Sequence, residues 1–452
     1  MKIIIVGIGM VGYTLVERLS SEKHDIVVVD EDEERIRSVS DEFDCMGVIG
    51  NGGDFKVLVR ADVEKTDLLI AVTESDEQNL LCCIMARRFE NCRVIARVRN
   101  PIYTTEIGFL RRELGLSMVI NPENIAAQEM ARIIQYPPSI RIDTFTRGRI
   151  ELMHLAIEEN NLLNGFRIRE IRQKLKCRVL ICIVTRGEKV FVPGVDEMLL
   201  AGDKIVVAAT PAEANDFFEK IGVHYEHTKS VMIVGGGRTG YYLGKRLVEI
   251  GIHTKIIEQD KNRCDELTEL LPQAEIIHGD GTNEKLLVQE GIAHVDAFAA
   301  LTGMDEENVF MSLAVKNHGK ARTITKIKRI SYTEVINKME LDAVVFPRML
   351  TADYITKYAA SMTRNVESGV ENIFPLEEGR AEAYEFFVRE ASDVTDTPIC
   401  ELKIKPDLLL CSITRNGKLI IPTGDDEIRV GDAVIAITTR SEFNDIKDIV
   451  RR

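Results

Sequence analysis

Short apolar runs alternate along this chain with longer segments whose apolar positions recur at helical spacing. Lys2 to Val6 is the first such run and fits a buried parallel strand. Tyr13-Thr14-Leu15-Val16-Glu17-Arg18-Leu19 then follows at helical spacing. Asp25 to Asp30 predicts a second strand, Met46 to Ile49 a third and Leu68 to Val72 a fourth. Arg93 to Val98 predicts a fifth, and Met118 to Ile120 a sixth. Glu31 to Phe43, a short piece at Leu58-Val59 and Gln78 to Phe89 read as the helices between them. Strand alternating with helix at this pace predicts a parallel, doubly wound sheet.

Asn121-Pro122-Glu123 then reads as a helix start, with an N-cap, a proline at the first helical position and an acid in the first turn. The helix is expected to run to about Ile134. It follows the sheet rather than closing it. Its apolar stripe of Ile125, Met130, Ile133 and Ile134 needs a partner, either a neighbouring chain or another part of this one. From about Ile140 to Phe218 the pattern changes to short strands and turns: Val179 to Arg186, Val190 to Pro193 and Leu199 to Val207.

The whole pattern then occurs a second time. Val6-Gly7-Ile8-Gly9-Met10-Val11-Gly12 returns as Val234-Gly235-Gly236-Gly237-Arg238-Thr239-Gly240. Asp30 returns as Glu258, and Gly50-Asn51-Gly52 as Gly279-Asp280-Gly281. Ala71-Val72-Thr73-Glu74-Ser75-Asp76-Glu77-Gln78-Asn79 returns as Ala300-Leu301-Thr302-Gly303-Met304-Asp305-Glu306-Glu307-Asn308. Phe346-Pro347-Arg348 through Tyr358 repeats the helix after the sheet, and Leu408 to Ile435 repeats the small strands. A duplicated unit follows. The predicted fold class is α/β: two tandem doubly wound parallel Rossmann sheets, each followed by a small α+β subdomain. The expected boundaries are 1–135, 140–222, 230–360 and 371–452. Lys220 to Ser230 is the seam, and His224 and His227 within it read as polar linker because no further His or Cys accompanies them at ligand spacing.

The bulk properties narrow the function. At 452 residues the chain is too long for one core. No run of eighteen apolar residues is present, so no membrane-spanning helix is expected, and the start of the chain does not read as a signal peptide. A cytoplasmic location is expected. A net charge of −14 argues against nucleic acid. The nine cysteines include no Cys-x-x-Cys, and pairs such as Cys82-Cys83 read as buried small hydrophobes, so no metal site is expected.

The glycine loops carry the chemistry. The first glycine permits the tight turn, the second lets backbone amides approach a phosphate, and the third lets helix pack on strand. The helix N-terminus adds positive partial charge. Asp30 and Glu258, expected at exposed strand ends, would accept from ribose hydroxyls and repel a 2′-phosphate. NADP is thereby disfavoured against NAD, ATP or ADP. Asn51 and Asp280 either reach an adenine edge or only build a turn; Thr73 and Thr302 end the fourth strands. Asp76-Glu77 and Asp305-Glu306 suggest either a cation site or, preferably, acids meeting the helix dipole. Arg97 and Lys326 match across the repeat and either counter phosphate charge or lie on the surface. Arg238 has no counterpart in the first loop and either binds phosphate or faces solvent. No nucleophile–base pair and no repeated hydride-transfer residue is visible, so an enzyme is not expected.

The arrangement resembles the TrkA family, the peripheral nucleotide-binding subunits of Trk potassium uptake systems, built from two tandem RCK (regulator of potassium conductance) units. The resemblance covers essentially the whole chain. It rests on the glycine loop at Gly7, Asp30, the stretch from Ala71 to Asn79, Arg97 and the second loop at Gly235-Gly236-Gly237. It implies a first site of Gly7, Ile8, Gly9, Met10, Val11, Asp30, Thr73, Glu74 and Arg97. Asn51 departs from the family pattern, and Gly303 stands where the first copy has Glu74, so nucleotide preference and the second site stay open. The resemblance implies a ring of RCK units, here a homo-oligomer of four chains, lying under a Trk-type potassium-translocating membrane subunit at the inner face of the membrane. NAD(H) and ATP or ADP would shift its shape without turnover. The competing readings are an NAD-dependent oxidoreductase with duplicated Rossmann folds and a nucleotide sensor for some other partner.

Overall fold

The computed structural model describes residues 1–451 except 90, 102, 104–107, 109–112, 137–140, 146–149, 224–227, 330–332, 337, 365–369, 416 and 441–442. The seam residues His224 and His227 thus lie outside the described residues, as does Ile140.

The first six strands are β1 (Lys2–Val6), β2 (Asp25–Asp30), β3 (Met46–Ile49), β4 (Leu68–Ala71), β5 (Arg93–Arg97) and β6 (Met118–Ile120). They form one sheet in the order β3-β2-β1-β4-β5-β6, with Ile4 paired in parallel to Val27 on one side and Leu69 on the other. Ile3, Ile4 and Ile5 are fully buried, as are all four residues of β4. Central strands covered on both faces require such unbroken apolar runs. The order reverses direction between β1 and β4, which opens a crevice at the carboxyl ends of the strands.

Two helix starts differ from the sequence reading, and a cap explains each. The helix expected from Glu31 begins at Glu33, because Asp32 accepts from the amides of Glu34 at 2.9 Å and Arg35 at 3.2 Å. The helix expected from Gln78 begins at Asp76, because Ser75 accepts from the Gln78 amide at 3.1 Å.

Five strands of the first small subdomain follow: β7 (Arg141–Phe145), β8 (Ile150–Ala156), β9 (Leu180–Arg186), β10 (Lys189–Phe191) and β11 (Lys204–Ala209). Their antiparallel sheet has the order β10-β9-β11-β8-β7, with helices Ile168–Leu175 and Pro211–Lys220. The apolar stretch from Leu199 does not open the strand. Leu199 to Asp203 is a turn in which Gly202 has φ +88°, and Asp203 accepts from the Leu200 amide at 2.9 Å.

The second Rossmann sheet is β12 (Ser230–Val234), β13 (His253–Glu258), β14 (Glu275–His278), β15 (Ala297–Ala300), β16 (Arg322–Lys326) and β17 (Ala343–Val345). Its order, β14-β13-β12-β15-β16-β17, repeats the first. The second small sheet is β18 (Val370–Leu376), β19 (Ala381–Phe387), β20 (Leu408–Arg415), β21 (Lys418–Ile420) and β22 (Ala433–Thr438). It repeats the first small sheet's order, but short 3₁₀ turns at Ile399–Glu401 and Ile446–Ile449 stand where the first copy has helices. Pro398 and Pro406 bracket the first of these stretches, and proline removes helix donors.

The contacts divide the chain into two compact units, and each unit combines the same part of both copies. Met1–Gln135 joins His227–Ala359, so both Rossmann sheets share one unit. The partner of the helix after the first sheet is found there. Ala126, Ala127, Met130, Ala131 and Ile134 on helix Pro122–Gln135 pack with Tyr241, Tyr242 and Leu247 on helix Arg238–Glu249 of the other copy. Asn121 adds a buried hydrogen bond from its amide to the Tyr242 hydroxyl at 3.0 Å. Reciprocally, Arg18 of helix Met10–Ser21 pairs with Asp353 of helix Pro347–Arg364. Met130, Ile133 and Ile134 of the apolar stripe thus pack against the other copy within the chain. The other unit joins Tyr136–Glu226 to Ala360–Arg452, and its two small sheets share a core that includes Leu152, Cys182, Ile183, Ala383, Cys411 and Ile437.

Candidate functional site

Each crevice is built from the glycine loop outward. Gly7 has φ +95°, and a Cβ there would lie 2.7 Å from the Thr73 amide nitrogen. A Cβ on Gly12 would lie 2.0 Å from the Gly7 carbonyl oxygen, so helix Met10–Ser21 can leave the loop only with glycine there. Gly9 and its counterpart Gly237 face open space. Both cap their helices with no side-chain acceptor, which leaves first-turn amides directed at the crevice. The second loop repeats the geometry, with Gly235 at φ +104° and a Cβ on Gly240 placed 2.1 Å from the Gly235 oxygen.

The two acids are not free strand-end carboxylates. Asp30 accepts from the Ile8 amide at 2.5 Å and from the Asp32 amide at 2.9 Å. Glu258 accepts from Gly236 at 2.7 Å and from Asp260 at 2.9 Å. Each acid therefore braces its glycine loop. A carboxylate has about four lone-pair sites, so acceptor capacity remains for a ligand.

Asn51 and Asp280 both close their own turns. Asn51 accepts from Gly53 at 2.7 Å and from the Gln78 side chain at 3.0 Å. Asp280 accepts from the Thr282 amide and hydroxyl, which hold its carboxyl below the ordinary range. Thr73 and Thr302, expected to end the fourth strands, lie two residues beyond the ends of β4 and β15, and their hydroxyls donate to Asn79 at 2.8 Å and Asn308 at 2.9 Å. Glu74 is exposed, and its carbonyl accepts from Arg99 at 2.5 Å. Thr239 is buried in the helix start, and Arg238 is exposed beside it.

Three pairs of residues hold this region through contacts that periodicity and spacing do not show. Asn79 and Asn308, both fully buried, tie the fourth strand to the fifth. Asn79 accepts from the Thr73 amide at 2.8 Å and donates to the carbonyls of Thr73 and Arg97. Asn308 does the same with Thr302 and Lys326. Asp76, expected to meet the helix dipole, is buried and accepts from the amides of Arg99 at 2.9 Å and Asn100 at 2.8 Å. Asp305 likewise accepts from Lys328 and Arg329. Arg99 and Lys328 form the third pair. The repeat itself held the signal, since Arg97-Val98-Arg99 returns as Lys326-Ile327-Lys328 with both charges kept.

Arg97 and Lys326 are the unusual members. They are only 9% and 8% exposed. Arg97 donates to the Thr73 carbonyl, and its Nε has no partner. Lys326 Nζ donates to the Leu301 carbonyl at 2.6 Å. Neither forms an ion pair among the described residues. Burial, then the neighbouring Arg99, pulls Arg97 down to about 10. Burial, then Lys328, pulls Lys326 down to about 8 against the opposing pull of Asp305 and Glu123.

Both cations line one cavity of about 770 Å³ in the unit that holds the two Rossmann sheets. The second crevice supplies most of its wall, including Gly235, Gly237, Arg238, Thr239, Glu258, Asp280, Thr302 and Lys328. The first copy adds Met10, Val11, Arg97, Arg99 and Glu123. Buried polar atoms without a hydrogen-bond partner among the described residues cluster on this wall: the Nε atoms of Arg97, Arg99 and Arg348 and one oxygen of Glu123, with Arg99 Nε 3.9 Å from Asp76. The second copy has Arg348 where the first has Glu123.

Known proteins match this chain along nearly its whole length. The TrkA-N domain model matches residues 3–122 and 231–347, and the TrkA-C domain model matches 152–222 and 383–451. The Trk system potassium uptake protein TrkA homolog 1 of Methanosarcina mazei is 31% identical over 99% of both chains. The TrkA of Haemophilus influenzae is 31% identical over 96% of this chain and 95% of its own. Among solved structures, the GsuK channel bound to NAD has a TM-score of 0.62 at 19% identity, covering 97% of this chain and 76% of that one. The GsuK RCK domain also has a TM-score of 0.62, covering 96% of this chain and 92% of that one. At that identity the likeness shows the fold, two tandem Rossmann and small-subdomain units. The family models and full-length relatives show more: the chain belongs to the TrkA family of Trk system potassium uptake proteins.

Proposed function

We propose that this chain is a regulatory subunit of a Trk-type potassium uptake system that binds nucleotides in its two Rossmann crevices and carries out no turnover. The observation that carries the reading is the pair Arg97 and Lys326. Two buried cations without a carboxylate partner face one cavity beside two helix N-termini. An uncompensated buried charge is costly, and an anion offsets the cost. A pyrophosphate fits the amides of Gly9 to Val11 and of Gly237 to Thr239, with Asp30 and Glu258 on the ribose. NAD(H), ATP and ADP all meet that description. NAD-bound and ADP-bound structures of the GsuK neighbours support this ligand class.

The domain reading is the four segments 1–135, 140–222, 230–360 and 371–452. The site reading is Gly7 to Gly12, Asp30, Asn51, Thr73, Glu74 and Arg97 in the first copy. In the second it is Gly235 to Gly240, Glu258, Asp280, Thr302 and Lys326. The partner is the potassium-translocating membrane subunit, and four copies of this chain form a ring at the cytoplasmic face of the membrane. No helix among the described residues is long and apolar enough to cross a membrane. Because one wall of the cavity comes from each copy, a ligand there would bind open and closed arrangements of the pair with different affinity if the two copies move apart. Differential affinity alone lets a ligand bias a gate.

Potassium flux in proteoliposomes holding the membrane subunit tests the reading. Nucleotide is expected to change flux with the wild-type chain and not with a Gly9→Asp, Gly237→Asp double variant. A Cβ at either glycine meets nothing within 4 Å, so the fold is kept while a carboxylate repels phosphate. Equal nucleotide response in both chains would remove the crevices from the mechanism. Steady NADH turnover on a 2-hydroxy or amino acid would revive the oxidoreductase reading.

A further inference from the structure

The repeat places arginine at one crevice and lysine at the other, and the two cations differ in whether they can lose their charge. Arg97 ends β5 and Lys326 ends β16 at matching positions. We propose that Lys326 makes the second crevice pH-sensitive, so that its affinity for a nucleotide phosphate falls as pH rises above neutrality. The inference rests on the nucleotide reading above and specifies how the second site is regulated.

The geometry supplies the reason. The Lys326 ammonium has three donors, and Leu301 takes one at 2.6 Å. The charged groups around it are Lys328 beyond the same strand, Asp305 on helix Asp305–Val315 and Glu123 on helix Pro122–Gln135. Around the rest of the cavity stand Glu258, Asp280 and Glu307, with Arg97, Arg99, Arg238 and Arg348. Carboxylates and guanidinium groups as classes keep their charge between pH 7 and 9, and among the described residues neither histidine nor cysteine lines the cavity. A lysine at a site that lowers its pKa to about 8 changes charge within that window. Below it the ammonium meets the phosphate directly. Above it the neutral amine must first take a proton from solvent, and affinity falls by up to about tenfold per pH unit.

The test is calorimetric titration of the full chain carrying Gly9→Asp, so that the second crevice reports alone. NAD and, separately, ADP serve as probes at pH 7, 8 and 9 in two buffers of different ionisation enthalpy. Affinity is expected to fall roughly tenfold from pH 7 to pH 9, with proton uptake rising toward one per bound nucleotide. A further Lys326→Arg substitution is expected to flatten the profile and abolish the uptake, whereas Lys328→Arg is expected to preserve both. A flat profile without proton uptake, or a fall that survives Lys326→Arg, overturns the inference while leaving the nucleotide reading in place. Failure of both probes to bind at any pH overturns the reading of the second crevice and this inference with it.

Discussion

The carboxylate of Asp30 accepts a hydrogen bond from the Ile8 amide at 2.5 Å, so one side chain links the end of β2 to the glycine loop. Glu258 and Gly236 repeat the contact at 2.7 Å. The residue proposed to recognise a ribose also holds the loop proposed to recognise the phosphate. Asp30→Ala is therefore expected to weaken nucleotide binding and also to destabilise the free chain by about 1.5–3 kcal/mol, the range for a hydrogen bond to a charged group. Asp30→Asn can still accept from Ile8 and is expected to lose less stability. Urea denaturation of both variants without ligand, beside calorimetric titration with NAD, separates the two roles. Unchanged stability in Asp30→Ala would mean that the loop holds its shape without the brace.

The same acids set a preference among dinucleotides. A 2′-phosphate on the adenosine ribose would meet Asp30 or Glu258 directly, and like charges in a part-buried place repel. NADP is expected to compete roughly tenfold or more weakly than NAD, equivalent to about 1.4 kcal/mol. Competition against a fluorescent adenine nucleotide measures the ratio. Equal displacement by NAD and NADP would place the ribose away from both acids.

Much of this fold was legible in the chain because a parallel sheet buried on both faces forces unbroken apolar runs such as Ile3-Ile4-Ile5. The duplication made each landmark checkable against its copy. The small sheets were harder to read. Leu199-Leu200 looks like a strand start, yet Gly202 and Asp203 make a turn there, and that conformation depends on a bond from Arg186 to Asp203 at 2.8 Å across the sheet. The loop glycines were legible because the backbone geometry demands them, whereas the hydrogen bonds a side chain makes to its neighbours were not. Thr73 reads as a ligand contact but donates to Asn79, a residue whose role depends on two strand ends meeting in space. The partner of the helix after the first sheet was equally hidden, since periodicity shows an apolar stripe and never what covers it.

Asn79 carries the next expectation. Its side chain satisfies the Thr73 amide and the Arg97 carbonyl from a fully buried position. Asn79→Ala strands both groups, and each buried unsatisfied group costs about 1–3 kcal/mol. A loss of roughly 2–4 kcal/mol is expected, together with faster hydrogen exchange at the Thr73 amide. Asn79→Asp would keep the acceptor, lose the donor and bury a charge, so it is expected to be no milder. Denaturation midpoints close to wild type in both variants would show that water replaces the side chain.

Arg97 separates stability from binding most sharply. A buried guanidinium without a carboxylate lowers the stability of the free chain, and the site that pulls it down to about 10 shows the environment disfavours its charge. Its one backbone acceptor, the Thr73 carbonyl, also accepts from Asn79 at 3.1 Å, so that oxygen stays satisfied if the guanidinium is removed. Methionine retains much of the apolar stem and fills the space without a charge. Arg97→Met is therefore expected to stabilise the free chain by about 1 kcal/mol or more, because an unpaired buried charge is removed. It is expected to bind NAD and ADP roughly ten- to a hundredfold more weakly, because a charged hydrogen bond to phosphate is worth about 1.5–3 kcal/mol. Thermal unfolding with and without saturating nucleotide reads both effects in one experiment: the free variant melts above wild type, and the ligand-induced rise shrinks. A variant that melts lower in the free state and keeps the full ligand-induced rise would make Arg97 a structural cation and leave Lys326 as the cation that draws phosphate into the cavity.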